Sequence, residues 1–143
     1  MASRFVYVTY IRAPIERVWA ALTSPAENKL FWGGYWQDST WEKGAAWKIV
    51  CPDGSIGDLG EVLAISPPRG FQVSWVQQMF PEMKAEGVSR VAVELTTGQG
   101  GVTRLSLLHE IDVEPSKLIE AVSTGWPMIM ASLKSLLETG TAL

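Results

Sequence analysis

Hydrophobic and polar residues alternate from the start of the chain. In RFVYVTYI, residues 4–11, Phe5, Tyr7, Thr9 and Ile11 fall on one side and Val6, Val8 and Tyr10 on the other, which predicts a strand. The period then changes. Pro14 stands where a helix can begin without losing a hydrogen bond, and Ile15, Val18, Trp19 and Leu22 follow at the spacing of one buried helical stripe. Ser24-Pro25 ends that helix, and a second short one is expected over residues 26–30. Residues 31–47 carry a weak pattern with Gly33-Gly34 and four tryptophans (Trp32, Trp36, Trp41, Trp47), and read as short strands between turns. Clearer strands follow at 46–51, 58–66 and 70–77, the first two ended by Pro52-Asp53-Gly54 and Pro67-Pro68. A polar, methionine-containing connection covers 78–87. Residues 89–97 and 102–111 then form a hairpin around Gly98, Gly100 and Gly101. Leu105, Leu107, His109 and Ile111 oppose Arg104, Ser106 and Glu110, so this last strand has a dry side and a wet side. That alternation suits an antiparallel sheet covered on one face.

From Pro115 onward, Leu118, Ile119, Val122, Trp126, Ile129, Met130, Leu133 and Leu137 recur every three or four residues. They predict one helix over 115–139, about 36 Å long. Gly125 and Pro127 oppose it, at about 1 and about 3 kcal/mol in a helix interior. Two geometries limit the loss. The helix is continuous and kinked with the Ser123 carbonyl released, or Thr124 caps a new helix whose first turn holds Pro127. Lys134 and Glu138 pair at i, i+4, and Gly140 suits the C-terminal end. The order of strand, two helices, about six strands and one long helix defines an α+β domain, expected to span 1–143 as a single unit.

Composition narrows the chemistry. The chain has 143 residues, 47% apolar and 19% charged, with a net charge of −3. No basic patch recommends nucleic acid or an anionic membrane as partner. One cysteine, Cys51, and one histidine, His109, exclude a disulfide framework and a Cys/His zinc site. No metal site and no cofactor are expected. No apolar run approaches the roughly 20 residues of a membrane span, so a cytoplasmic protein is expected. There is no phosphate-cradling glycine motif before a helix and no G-x-S-x-G nucleophile turn.

Three segments carry a resemblance: IRAPIERVWAALTSP, GEVLAISPPRGFQVSW and TGWPMIMASLKSLLETG. Together they resemble the START-like (SRPBCC) helix-grip superfamily. Within it they are similar to single-domain relatives of the C-terminal domain of the heat-shock-protein-90 ATPase activator. Gly44-Ala45 departs from the usual double glycine before the Trp47 strand. The resemblance implies a curved antiparallel sheet of about six or seven strands around a long C-terminal helix, with two short helices after the first strand. It also implies a deep apolar cavity between sheet and helix.

The side chains expected to line that cavity are Phe71, Val73, Trp75, Val91, Val93, Leu95, Leu105, Leu107, Trp126, Met130 and Leu133, with His109 as the polar contact. His109 is read either as a ligand hydrogen-bonder or general base, or as a core histidine tied to a carbonyl. It is the one weak candidate for catalysis, and no catalytic set is assigned. Trp75 and Trp126 read as an aromatic wall or as core. Glu61 is a buried acid facing the pocket or an outer-face ion-pair member. Cys51 reads as a small hydrophobe, and Met79 and Met83 as a lid or as packed loop residues. Three functions follow: binding of a small apolar or aromatic molecule, lipid- or polyketide-like; modulation of a chaperone ATPase by protein contact; and a cyclase- or hydrolase-like reaction using His109 with Glu61 or Glu110.

Overall fold

Strand β1 (Ser3–Ile11) follows the alternation of its sequence, with half-buried and exposed residues taking turns along it. The computed structural model describes residues 2–143; Met1 lies outside them. Helices α1 (Ile15–Thr23) and α2 (Pro25–Phe31) come next, and the Ser24 hydroxyl between them accepts the Glu27 backbone N–H to cap α2. Strands β2 (Trp36–Ser39), β3 (Ala46–Val50), β4 (Ile56–Ser66), β5 (Gly70–Gln77), β6 (Ser89–Thr97) and β7 (Thr103–Ile111) complete an antiparallel sheet ordered β1-β7-β6-β5-β4-β3-β2. Each strand from β2 to β7 pairs with its sequence neighbour, and β1 returns to lie beside β7. The sequence predicts the order of elements along the chain. It does not predict α3 (Pro81–Lys84), a single helical turn inside the connection after β5.

The long helix α4 (Lys117–Thr139) is continuous through Gly125 and Pro127. Thr124 therefore caps nothing; its hydroxyl donates back to the Ala121 carbonyl, as Ser123 does to Glu120. Such back-bonding tends to bend a helix; the carbonyl that Pro127 deprives of its donor is that of Ser123, four residues earlier, whereas these hydroxyls bond to Glu120 and Ala121. The start also differs from the expected 115. Pro115 lies outside the helix and Ser116 is the cap, its hydroxyl accepting the Ile119 N–H at 3.1 Å. Gly140, at φ 84°, closes the other end with its N–H on the Leu136 carbonyl.

One face of the sheet is dry. Val73, Val91, Val93, Leu105 and Leu107 are buried against α1 and α4, while Arg90 reaches Glu110 and Asp112 on the wet face. Buried polar groups fasten α1 to the far strands. Asn28 and Gln37 donate to the last carbonyls of α1, and Gln37 accepts the Trp47 indole N–H at 3.1 Å.

The α3 segment is tied to the start of α4. The Glu86 carboxylate accepts from the Ser116 hydroxyl at 2.6 Å and from the Lys117 N–H at 2.7 Å, and Lys117 pairs with Glu82 at 2.8 Å. A carboxylate at a helix N-terminus is favoured by the free N–H groups and the helix dipole. Glu86→Ala is expected to lower stability by about 1 kcal/mol, and to speed amide exchange in α3 and the first turn of α4. Unchanged protection there would show that the clamp is redundant.

Candidate ligand cavity

Between α4 and the β3–β5 end of the sheet lies a cavity of ≈ 530 Å³. The end of α2 and the turn after it supply Phe31, Trp32 and Tyr35; the sheet supplies Ile49, Asp58, Trp75 and Gln77. Phe80 and Met83 close one side, and α4 contributes Leu118, Val122, Gly125, Trp126, Ile129 and Ser132. Phe80, Met128 and Leu143 are largely exposed at the rim.

Gly125 helps to keep this space open. It lines the cavity, and a Cβ built on it would meet no atom within 4 Å. The glycine that weakens the helix thus spares volume at the wall.

The cavity is not where the apolar faces place it. Of the expected lining residues, Trp75 and Trp126 border it. Phe71, Val73, Val91, Val93, Leu107 and Met130 instead surround a residual space of ≈ 10 Å³, below what one water needs. Leu95, Leu105 and Leu133 are packed core at 0–1% exposure. The interior under β5–β7 is filled because α1 contributes Val18, Ala21 and Leu22 to the same core. The open end lies beyond the two tryptophans, where α2, α3 and the first half of α4 enclose the space.

His109 faces inward but lies behind Trp75 and Trp126 rather than on the cavity wall. The Trp126 indole N–H donates to His109 Nδ1 at 3.1 Å, and indole can only donate. His109 Nε2 therefore carries the hydrogen and donates to Ser89 Oγ at 2.9 Å, whose hydroxyl donates to the Trp75 carbonyl at 3.0 Å. Both ring nitrogens are occupied. Burial pulls the imidazole pKa down to about 3, so the ring is neutral across the physiological range. The ring thus ties Trp126 on α4 to Ser89 on β6 and lies against Trp75.

Other sequence candidates fall outside. Glu61 is exposed on the outer face, on the parity of exposed Leu59, and Glu110 pairs with Arg90. Cys51 is buried with its sulfur 3.5 Å from that of Met79, and Met83 borders the cavity.

The residue that sequence reading missed is Asp58. It lies on the inner face of β4, on the parity of Val62, and is 6% exposed. Burial raises its carboxyl pKa to about 7, and the nearby Trp75 indole offsets this only in part. Neither Asp58 Oδ1 nor Trp75 Nε1 attains a well-formed hydrogen bond. The available signal was an acid sharing a strand face with Gly60 and Val62. Among the described residues no group of His, Cys, Asp and Glu is placed to hold a metal, and no helix is long and apolar enough to cross a membrane.

Comparison with known proteins agrees with this architecture. Solved structures with the same fold include protein MLL2253 from Mesorhizobium loti, 24% identical with a TM-score of 0.80 over 94% of this chain and 96% of that one. The Aha1 dimer from Colwellia psychrerythraea is 22% identical with a TM-score of 0.73, over 96% and 98% of the two chains. DynU16, from the dynemicin biosynthetic locus, is 22% identical with a TM-score of 0.76; 97% of this chain matches 48% of that protein. The fold is the helix-grip fold, a seven-stranded curved antiparallel sheet with a long C-terminal helix. A search of curated proteins gave no match. The family model described as "Activator of Hsp90 ATPase homolog 1-like protein" matches residues 12–138, and the chain belongs to that family.

Proposed function

We propose that the protein binds a small apolar or aromatic molecule, lipid- or polyketide-like, in the cavity between α4 and the β3–β5 end of the sheet. The observation that carries this reading is a preformed opening of ≈ 530 Å³ walled by Phe31, Trp32, Trp75 and Trp126. Folded interiors pack to near-crystalline density, so space on this scale at an apolar wall needs a reason. Its size falls within the roughly 300–1,000 Å³ of small-molecule sites. DynU16, a structural relative, is a protein of the dynemicin biosynthetic locus.

Gly125 supplies the test. Gly125→Phe is expected to fill the cavity and reduce affinity for an aromatic probe by at least about tenfold. The fold should survive, since the added Cβ meets nothing and glycine costs a helix roughly 1 kcal/mol relative to alanine. Gly125→Ala should still bind, with stability raised by about that amount. Native mass spectrometry and NMR titration read the binding, and urea unfolding the stability. Wild-type affinity in Gly125→Phe would place the ligand elsewhere.

A second reading, modulation of a chaperone ATPase by protein contact in the cytoplasm, is favoured by the description of the matching family. It needs an outer surface and no hollow. The same variant separates the two, because filling the cavity should leave any effect on a heat-shock-protein-90 ATPase unchanged.

A further inference from the structure

On the sheet side of the cavity the Trp75 indole lies near enough to Asp58 to favour its carboxylate, yet Asp58 Oδ1 and Trp75 Nε1 reach hydrogen-bond geometry neither with each other nor with any other group. Asp58 Oδ1 and Trp75 Nε1 belong to residues each 6% exposed, and both residues border the opening. The ladder brings them together. Asp58 pairs with Gln77 across β4 and β5, which sets Trp75 on the same inner face one diagonal step away. An acceptor and a donor therefore stand side by side at an otherwise apolar wall. Buried polar groups left unpaired are rare in folded proteins because each forfeits its hydration. A pair of opposite hydrogen-bonding character that fails to pair internally is suited to a third group between them.

We propose that Asp58 and Trp75 form a hydroxyl anchor for the ligand of this cavity. The ligand's O–H donates to Asp58 Oδ1, and its oxygen accepts from Trp75 Nε1. The inference rests on the cavity reading above and specifies the ligand as a flat, neutral hydroxyl-bearing molecule such as a phenol. Other single groups suit the ionised acid and the indole less well. An ammonium can only donate, and would leave the indole hydrogen turned toward a cation. A carboxylate would meet the acid. A purely apolar group would satisfy neither atom. Ring walls from Trp32, Tyr35 and Trp126 suit a planar body attached to that hydroxyl.

The test uses three size-matched probes, 2-naphthol, 2-methylnaphthalene and 2-naphthoate, titrated at pH 7 and followed by two-dimensional ¹H–¹⁵N NMR. Expected is an affinity for 2-naphthol at least about tenfold above that for 2-methylnaphthalene, with 2-naphthoate weakest. The Trp75 indole cross-peak, assigned by its loss in Trp75→Phe, should move downfield with 2-naphthol alone. Asp58→Leu should clearly reduce the preference for 2-naphthol, leaving only what the Trp75 donor supplies, while still binding 2-methylnaphthalene. Equal affinity for the neutral probes in the wild type, or a preference undiminished in Asp58→Leu, overturns the anchor and leaves the cavity reading standing. Binding of no probe overturns both.

Discussion

Substituting alanine for Gly60 is expected to cost about 3 kcal/mol or more of folding stability, a large part of what a domain of this size holds. The reason is contact between two backbones. A Cβ at position 60 would lie 1.8 Å from the Ser74 carbonyl oxygen and 2.6 Å from its carbon. Neither atom can swing aside as a side-chain tip would. The Ser74 hydroxyl is also engaged there, accepting the Glu61 N–H at 2.9 Å, between the Leu59–Val76 and Val62–Val73 pairs. Relief would require β4 and β5 to separate beside the cavity. Urea unfolding would show the loss, and a change below about 1 kcal/mol would mean that the strands yield easily. The contrast with Gly125, where the added methyl should stabilise, makes the pair of variants a check on geometry rather than on glycine content.

Asp58→Asn is expected to stabilise the protein, by an amount that grows with pH. The carboxyl has a folded pKa of about 7 against an ordinary value of 3.8, so between these values the folded protein binds more protons than the unfolded chain. Stability contributed by the neutral acid is present below pH 3.8 and is lost as pH rises through about 7. At pH 8 the folded wild type carries a buried carboxylate, at a cost of as much as roughly 4 kcal/mol. Asparagine has nearly the same shape and no charge to bury. The advantage of the variant over the wild type should therefore rise by several kcal/mol between pH 4 and pH 8. A constant difference would show that Asp58 ionises freely. His109 works in the opposite sense. Its folded pKa of about 3 lies below the 6.5 of the free side chain, so stability falls as pH drops from 6.5 toward 3. Across pH 6.5 to 4 the two groups nearly cancel in the wild type, and comparison with Asp58→Asn separates them.

The elements were legible because their signals are periodic. Alternation in TRLSLLHEI and the recurrence from Leu118 to Leu137 settle which residues face inward, and burial follows both patterns. The ends were less so. α4 begins after a Ser116 cap rather than at Pro115 because a cap needs a side-chain acceptor, and the sequence offers both residues in adjacent places. The cavity was misplaced for a deeper reason. A face says that Val91 and Leu107 point toward α4, but not how much α1 inserts between them. That depends on the angle at which Val18 and Leu22 enter, which is a property of packing rather than of pattern. Asp58 was missed because β4 carries apolar residues on both sides: Leu59 and Leu63 masked the inner face on which Asp58 and Val62 lie.

The aromatic rings in and next to the cavity wall have a consequence for how the protein would be observed. Trp32 and Trp126 are 5.4 Å apart, Trp126 and Trp75 5.6 Å, and Trp75 and Trp47 5.3 Å. Indoles this close exchange excitation faster than they emit, so the four should glow as one lamp rather than as separate reporters. A guest touching Trp75 or Trp126 would dim them all, and the ultraviolet light of the folded chain would register occupancy from a single contact.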